Sequence, residues 1–247
     1  MNKLLTIKNL GKVYHTINGE VEALKNINLE INKGEFICIV GSSGCGKSTL
    51  LSILADLDTQ TSGEIIWHVN KPTIGYMLQN DTLFPWLSIY KNACLGLDIK
   101  KLNNKSYVDN LLKTYSLYDF KDKKPNELSG GMKQRVALIR TLAIDPDILF
   151  LDEPFSALDY QTRLAVSDDV YKIIKKENKT VIMITHDIAE AISLADRIII
   201  LSKRPGTVKK VYEINLTNKT SPINNRNTKE FPIYYSKIWK DLDVNVG

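Results

Sequence analysis

Apolar residues arrive in this chain in short dense runs separated by polar turns. Residues 36–40, 148–151 and 181–185 are continuous and rich in branched side chains, the pattern of strands buried on both faces. Residues 4–10 and 27–31 cluster or alternate apolar positions as strands do. A hairpin is predicted from 64–69 to 73–77 across Asn70-Lys71-Pro72, and a second pairing from 197–201 to 208–214 around Arg204-Pro205-Gly206. Helical patterning covers 132–143, 162–177 and, briefly, 188–195. The stretch 83–127 reads as helical throughout, clearest over 106–115, with a break near Pro125. Strands alternating with helices predict an α/β fold whose mostly parallel sheet is covered on both faces. One domain then spans 4–214. The tail 215–247 is rich in Asn and Lys and carries an aromatic patch, Phe231 to Trp239, expected as a docking helix. There is no internal repeat.

Composition narrows the class. With 247 residues, 43% hydrophobic and 25% charged, the chain has apolar material for a substantial core. The net charge of +5 is spread along it, whereas a nucleic-acid surface needs basic residues gathered on one face. Lys121, Lys123 and Lys124 are interrupted by Asp122. Cys38, Cys45 and Cys94 are too few and odd in number for a disulfide framework, which suits a reducing compartment. No signal-peptide pattern follows Met1, and no apolar run approaches the ~20 residues that span a bilayer. A cytosolic protein is expected, reaching a membrane only through a partner.

The chemistry begins directly after the first buried run. Gly41-Ser42-Ser43-Gly44-Cys45-Gly46-Lys47-Ser48 lies between a predicted strand and a helix that starts near Thr49, the context a phosphate-cradling loop requires. Glycines let backbone N–H groups turn toward an anion at the helix N-terminus. Lys47 would reach the β- and γ-phosphates of a nucleotide, and the Ser48 hydroxyl would ligate Mg²⁺. Cys45, near that helix N-terminus, is expected to favour the thiolate, so that alkylation blocks nucleotide binding and ATP protects.

Other parts fit the same chemistry. Asp152-Glu153 ends the run 148–151. Asp152 suits a second Mg²⁺ contact, and Glu153 could polarise an attacking water. Leu128-Ser129-Gly130-Gly131-Met132 is a second glycine turn opening a helix. Since 41–48 already serves one nucleotide, Ser129, Gly130 and Gly131 would face another, in a head-to-tail homodimer with two composite sites. The competing role for Ser129 is an ordinary N-cap. His186 falls at a strand tip, where it could contact a γ-phosphate and orient Glu153. Gln79 ends a strand-like segment, where its amide could touch Mg²⁺ or water. Tyr14 either stacks on adenine or packs within its strand.

Taken together, these motifs resemble the ATP-binding subunits of ATP-binding-cassette (ABC) transporters, in order and spacing, from about residue 5 to 212. Residues 41–48 match the Walker A loop, Gln79 the Q-loop, 128–132 the signature, 148–153 Walker B, Ser156-Ala157-Leu158-Asp159 the D-loop and His186 the switch histidine. The resemblance implies a RecA-like P-loop NTPase core, an antiparallel β lobe and an α-helical signature lobe near 83–142. It also implies ATP hydrolysis with Mg²⁺, dimer closure on ATP, transmembrane permease subunits at the cytoplasmic face of the membrane and, indirectly, an external solute-binding protein. Residues 78–86, 130–135 and 201–206 are similar to importers of nitrate, aliphatic sulfonates, taurine and thiamine-pyrimidine precursors. Met132 replaces the glutamine common in the superfamily, as that subgroup does, and Asp56 stands where glycine is usual. Phe84-Pro85-Trp86 would form a groove for a permease helix, or pack inside the helical lobe. Two other classes compete. A soluble cassette ATPase acting on ribosome or DNA would usually carry two cassettes or a long coiled coil. A small-molecule kinase would not need the signature.

Overall fold

The structure, a computed structural model, describes residues 2–17 and 19–242. It is α/β and divides into two compact units. One runs to Pro72 and resumes at Thr180; the other is Thr73–Lys179.

The first unit opens with a long hairpin, β1 (Lys3–Thr16) and β2 (Gly19–Asn32), with β4 (Ser62–Trp67) on the other side of β1. The three strands are antiparallel. In β2, Ile27, Leu29 and Ile31 are buried while Asn28 and Glu30 face out, the period of a sheet with one wet face. Asn9 and Asn26 take left-handed φ of 50° at register shifts of the hairpin, which asparagine tolerates better than most residues. The same unit holds a second sheet. β3 (Phe36–Val40) lies between β7 (Thr180–Ile184) and β8 (Arg197–Leu201), all parallel, and β9 (Val208–Glu213) pairs antiparallel with β8. Every residue of β3 and β7 is buried. Helix α1 (Lys47–Leu54) follows β3, and α6 (Ile188–Leu194) follows β7.

In the second unit β5 (Ile74–Met77) runs parallel to β6 (Ile148–Asp152). Its helices are α2 (Ile89–Lys100), α3 (Lys105–Thr114), α4 (Gly130–Leu142) and α5 (Tyr160–Lys176). α4 packs against α2, α3 and α5. Gly75 lets β5 approach α4, because a Cβ there would sit 2.7 Å from Thr141 Cγ2.

The expected hairpin from 64–69 to 73–77 does not form: β4 pairs with β1 and β5 with β6. Asn70-Lys71-Pro72 is a crossover between sheets rather than a turn, and Pro72 is the last residue before the second unit. The hairpin β1–β2 is far longer than its apolar segments, since residues 11–26 carry mixed polarity. The stretch 83–127 is two helices with single 3₁₀ turns at Tyr118–Phe120 and Pro125–Glu127, and 84–88 is loop.

The tail contains two helices, α7 (Pro222–Asn225) and α8 (Phe231–Asp241). α8 packs on α6 through Ile238, which is fully buried. Residues 243–247 of the expected tail lie outside the described residues.

Candidate functional site

In the first unit the strand ends and the phosphate loop coincide. β3 and β7 are parallel neighbours, with Ile39 opposite Ile184, so the loop leaving β3 and His186 leaving β7 emerge at the same sheet edge. Carboxyl ends of parallel strands are where α/β folds bind ligands. Gly44 and Gly46 have φ of +72° and +103°, a conformation that costs other residues dearly. A Cβ on Gly46 would also meet Leu24 Cδ2 at 2.7 Å and Ala23 O at 2.9 Å. Gly46 is the N-cap of α1 and offers no side-chain cap, so the first N–H groups of that helix remain for an anion. Ser42, Ser43, Gly44 and Ser48 are exposed, and Gly41 and Thr49 half-buried. Lys47 is buried, its Nζ donating to Gly41 O at 2.9 Å and Ser42 O at 3.1 Å. The ammonium is thus held over its own loop. His186 is exposed between anchored neighbours: Asp187 N donates to Thr185 Oγ1, and the Asp187 carboxylate caps α6.

Two expectations change here. Cys45 is only 1% exposed, and a Cβ on Gly41 would lie 2.8 Å from its Sγ. The thiol points into the fold beneath the loop, so it is shielded from alkylating reagents rather than presented to them. Tyr14 neither packs wholly into its strand nor lies open. It is 37% exposed, its phenol donates to Asp58 Oδ2 at 2.8 Å, and Lys12 Nζ stands 4.7 Å from its ring centroid. Burial, aided by the bond to Asp58, pushes the phenol above its usual range. The bond from Lys12 holds the Asp58 carboxyl below its own. Sequence patterning marks Lys12 and Tyr14 as sharing a strand face, but gives no sign of Asp58.

In the second unit the ends of β5 and β6 bring Gln79, Asp152 and Glu153 together. Gln79 Nε2 donates to Ser156 Oγ at 3.2 Å and lies 3.5 Å from Glu153 Oε2. Ser156 Oγ donates in turn to Glu153 O at 2.9 Å. Tyr76 OH reaches Asp152 Oδ2 at 3.4 Å. Glu153 has φ +46°, rare for a glutamate and a mark of backbone held for a purpose. Arg140 on α4 donates to Asp81 O, Thr82 O and Thr82 Oγ1, tying the loop after Gln79 to that helix.

α4 begins at the glycine pair. Ser129 Oγ accepts from Met132 N at 3.3 Å, so the hydroxyl acts as N-cap. Ser129 and Gly130 are exposed and Gly131 buried. A Cβ on Gly131 would meet Thr162 Cγ2 at 3.0 Å and Val166 Cγ2 at 3.1 Å on α5, and one on Gly130 would meet Leu158 at 3.3 Å. These glycines set the spacing between α4 and α5.

Sequence reasoning missed Asn92. Fully buried on α2, it accepts from Phe84 N and donates toward Phe84 O, Leu87 O and Ser88 O. It thereby fixes the loop carrying Pro85 and Trp86. An asparagine within an apolar helical stretch is the signal that could have found it.

Among the described residues, no group of three or more His, Cys, Asp or Glu side chains could hold a metal alone. Gln79 and Asp152 in the second unit offer amide and carboxylate oxygens, and Ser48 in the first unit a hydroxyl, the donor types that Mg²⁺ takes beside phosphate oxygens and water.

Residues 24–156 match the ABC transporter family model. Over 248 residues the chain is 41% identical to an uncharacterized ABC transporter ATP-binding protein, YtlC, of Bacillus subtilis, covering 97% of this chain and 95% of that protein. It is 42% identical to the nitrate import ATP-binding protein NrtD of Synechocystis, over 91% of this chain and 88% of that one. It is 43% identical to the aliphatic sulfonates import ATP-binding protein SsuB of Bacillus thuringiensis, over 88% and 90%. Among solved structures, the dimeric ABC transporter cassette MJ0796 superposes with a TM-score of 0.73 at 35% identity, over 86% of this chain and 99% of that one. The same cassette in a post-hydrolysis state with ADP and Pi gives 0.72 at 34%, with the same coverage. With a family model matched over more than half of its length and relatives above 40% identity over most of it, this chain belongs to the ABC transporter ATP-binding family.

Proposed function

We propose that this chain hydrolyses ATP to drive an importer for a small oxyanion or related solute, of the nitrate, sulfonate, taurine or thiamine-pyrimidine-precursor kind. The observation that carries the reading is near-full-length identity to import ATP-binding proteins, together with the cluster of Gln79, Glu153 and Ser156 at the β5 and β6 ends.

Each residue has a role. The backbone of Gly41, Ser42, Ser43, Gly44, Cys45 and Gly46 cradles the phosphates, and Lys47 exchanges its loop carbonyls for phosphate oxygens. Tyr14 carries the adenine, with Thr49 close by. Glu153 accepts a proton from the attacking water, and His186 contacts the γ-phosphate. Ser129, Gly130 and Gly131 serve the nucleotide of a second copy, in a homodimer. Magnesium, held by Ser48, Asp152 and Gln79, supplies charge screening when bound. Preorganised donors around developing charge account for most of the acceleration in such phosphoryl transfers.

The permease docks at the loop that Asn92 holds. Trp86 is 67% exposed, so it is not core, and it lies 5.1 Å from the Phe84 ring. Nearby Leu87, Tyr90, Cys94 and Leu95 line a cavity of about 330 Å³. No helix among the described residues is long and apolar enough to cross a membrane, and the permease is what holds this subunit at the cytoplasmic face, with an external solute-binding protein acting through it. The test is uptake of labelled nitrate, taurine, an alkanesulfonate and a thiamine pyrimidine precursor in cells with and without the gene. One of them should lose ATP-dependent uptake. Unchanged uptake of all four, with the purified protein still releasing phosphate from ATP, would overturn the solute class.

A further inference from the structure

Around Tyr14 the structure builds more than a stacking surface. Lys12 and Tyr14 stand two residues apart on β1, and Lys12 Nζ lies over the ring at 4.7 Å, inside the ~6 Å reach of a cation–π contact. The same ammonium donates to Asp58 Oδ1 and to Thr59 O, each at 2.6 Å. The Tyr14 phenol donates to the other oxygen of that carboxylate, Asp58 Oδ2, at 2.8 Å. One carboxylate therefore holds both side chains. Asp58 lies four residues beyond the end of α1, the helix opened by the phosphate loop. The Lys12 side chain is only 10% exposed, so this is a built cluster rather than a surface encounter.

We propose that Lys12 and Asp58 are positioning residues for the nucleotide: they fix the plane of the Tyr14 ring and its distance from the phosphate loop. This rests on the reading of Tyr14 as the adenine platform. A platform already oriented loses less freedom when ligand arrives, and preorganisation raises affinity without adding a contact. The lysine also occupies one face of the ring, which leaves the opposite face for the base. The ligand class is a purine nucleoside triphosphate, gripped at both ends by parts of a single cluster.

Calorimetric titration of the whole chain tests this, with Mg–ATP as one probe and Mg–tripolyphosphate, which lacks a base, as the other. Lys12→Met and Asp58→Asn should each weaken ATP about three- to tenfold and leave tripolyphosphate within about twofold. Lys12→Arg keeps a cation on the ring and should restore most of the ATP affinity. If Lys12→Met does not fold, Asp58→Asn gives the same readout. Tyr14→Ala separates the two ideas. Should it leave ATP affinity intact, the platform reading itself fails. Should it weaken ATP while Lys12→Met and Asp58→Asn do not, only the positioning role is overturned. Equal losses for ATP and tripolyphosphate in the folded variants also overturn it, since the pair would then be supporting the loop rather than the base.

Discussion

Among single residues, Glu153 carries the sharpest prediction. With a left-handed backbone it follows the last residue of a buried strand, and its carbonyl and carboxylate meet Ser156 and Gln79. Glu153→Gln is expected to keep ATP binding and cut phosphate release by at least about a hundredfold, the scale of a lost general base. A phosphate-release assay beside an equilibrium binding measurement checks both halves; normal turnover would remove Glu153 from the mechanism. The pattern of glycines, Lys47 and the Asp152-Glu153 pair was readable from the chain, because each has a backbone or charge requirement that few residue types meet. Asp58 was not, because its role comes from neighbours distant in the chain, and Ser156 was read only within the D-loop match, not as a partner of Gln79 and Glu153. The burial of Cys45 was hidden for a related reason: loop position says nothing of which way a side chain turns.

At the level of elements, loops are held by buried polar anchors. Asn92→Ala removes the bond from Phe84 N and the two amide protons shared among Phe84 O, Leu87 O and Ser88 O, and a backbone group left unpaired, as Phe84 N would be, costs about 1–3 kcal/mol. The variant should melt lower, and, if the permease docks there, lose solute transport before ATPase activity. Assays of both in the same preparation check it. The loop between β8 and β9 acts similarly from behind the phosphate loop. Gly206 N donates to Ala23 O, and a Cβ on Gly206 would sit 2.2 Å from Cys45 O. Gly206→Ala should therefore displace 44–46 and weaken ATP by about tenfold or more, measured by titration. This gives a physical reason for Arg204-Pro205-Gly206, read from the sequence as a turn between two strands and as part of a family resemblance. Core strands were legible because burial on both faces leaves continuous apolar runs. The β4-to-β5 crossover was not, because two short half-buried strands flanking a proline look like a hairpin. The helical unit also carries a pH signature. Burial pushes the Tyr90 and Tyr115 phenols from an ordinary 10.0 up to about 12, and raises Tyr107 further, helped by its bond to Glu177. The folded chain holds these protons more tightly than the unfolded one, so their stabilisation is full below 10.0 and is lost as pH rises toward 12. Denaturant midpoints should fall between about pH 9 and about pH 11, and less so in Tyr107→Phe.

For the molecule as a whole, the proposed function is one of assembly. The chain resembles a cassette solved as a dimer, and its Ser129 and Gly130 are exposed, as the proposed homodimer requires. Glu153→Gln with Mg–ATP should run as a dimer in light scattering and as a monomer without nucleotide; a monomer in both conditions contradicts the two-copy machine. The tail is stitched to its own unit by buried polar contacts: Asn225 Nδ2 donates to Ser193 O, and Lys219 Nζ to Ala195 O and Asp196 Oδ1. Asn225→Leu should raise hydrogen exchange across 215–242 without abolishing ATP hydrolysis. One consequence of the sulfur walled in below Gly41 is practical. A maleimide can reach Cys45 only while the loop above it breathes, so the labelling half-time becomes a stopwatch for that motion, slowed when ATP occupies the cradle and needing no engineered probe.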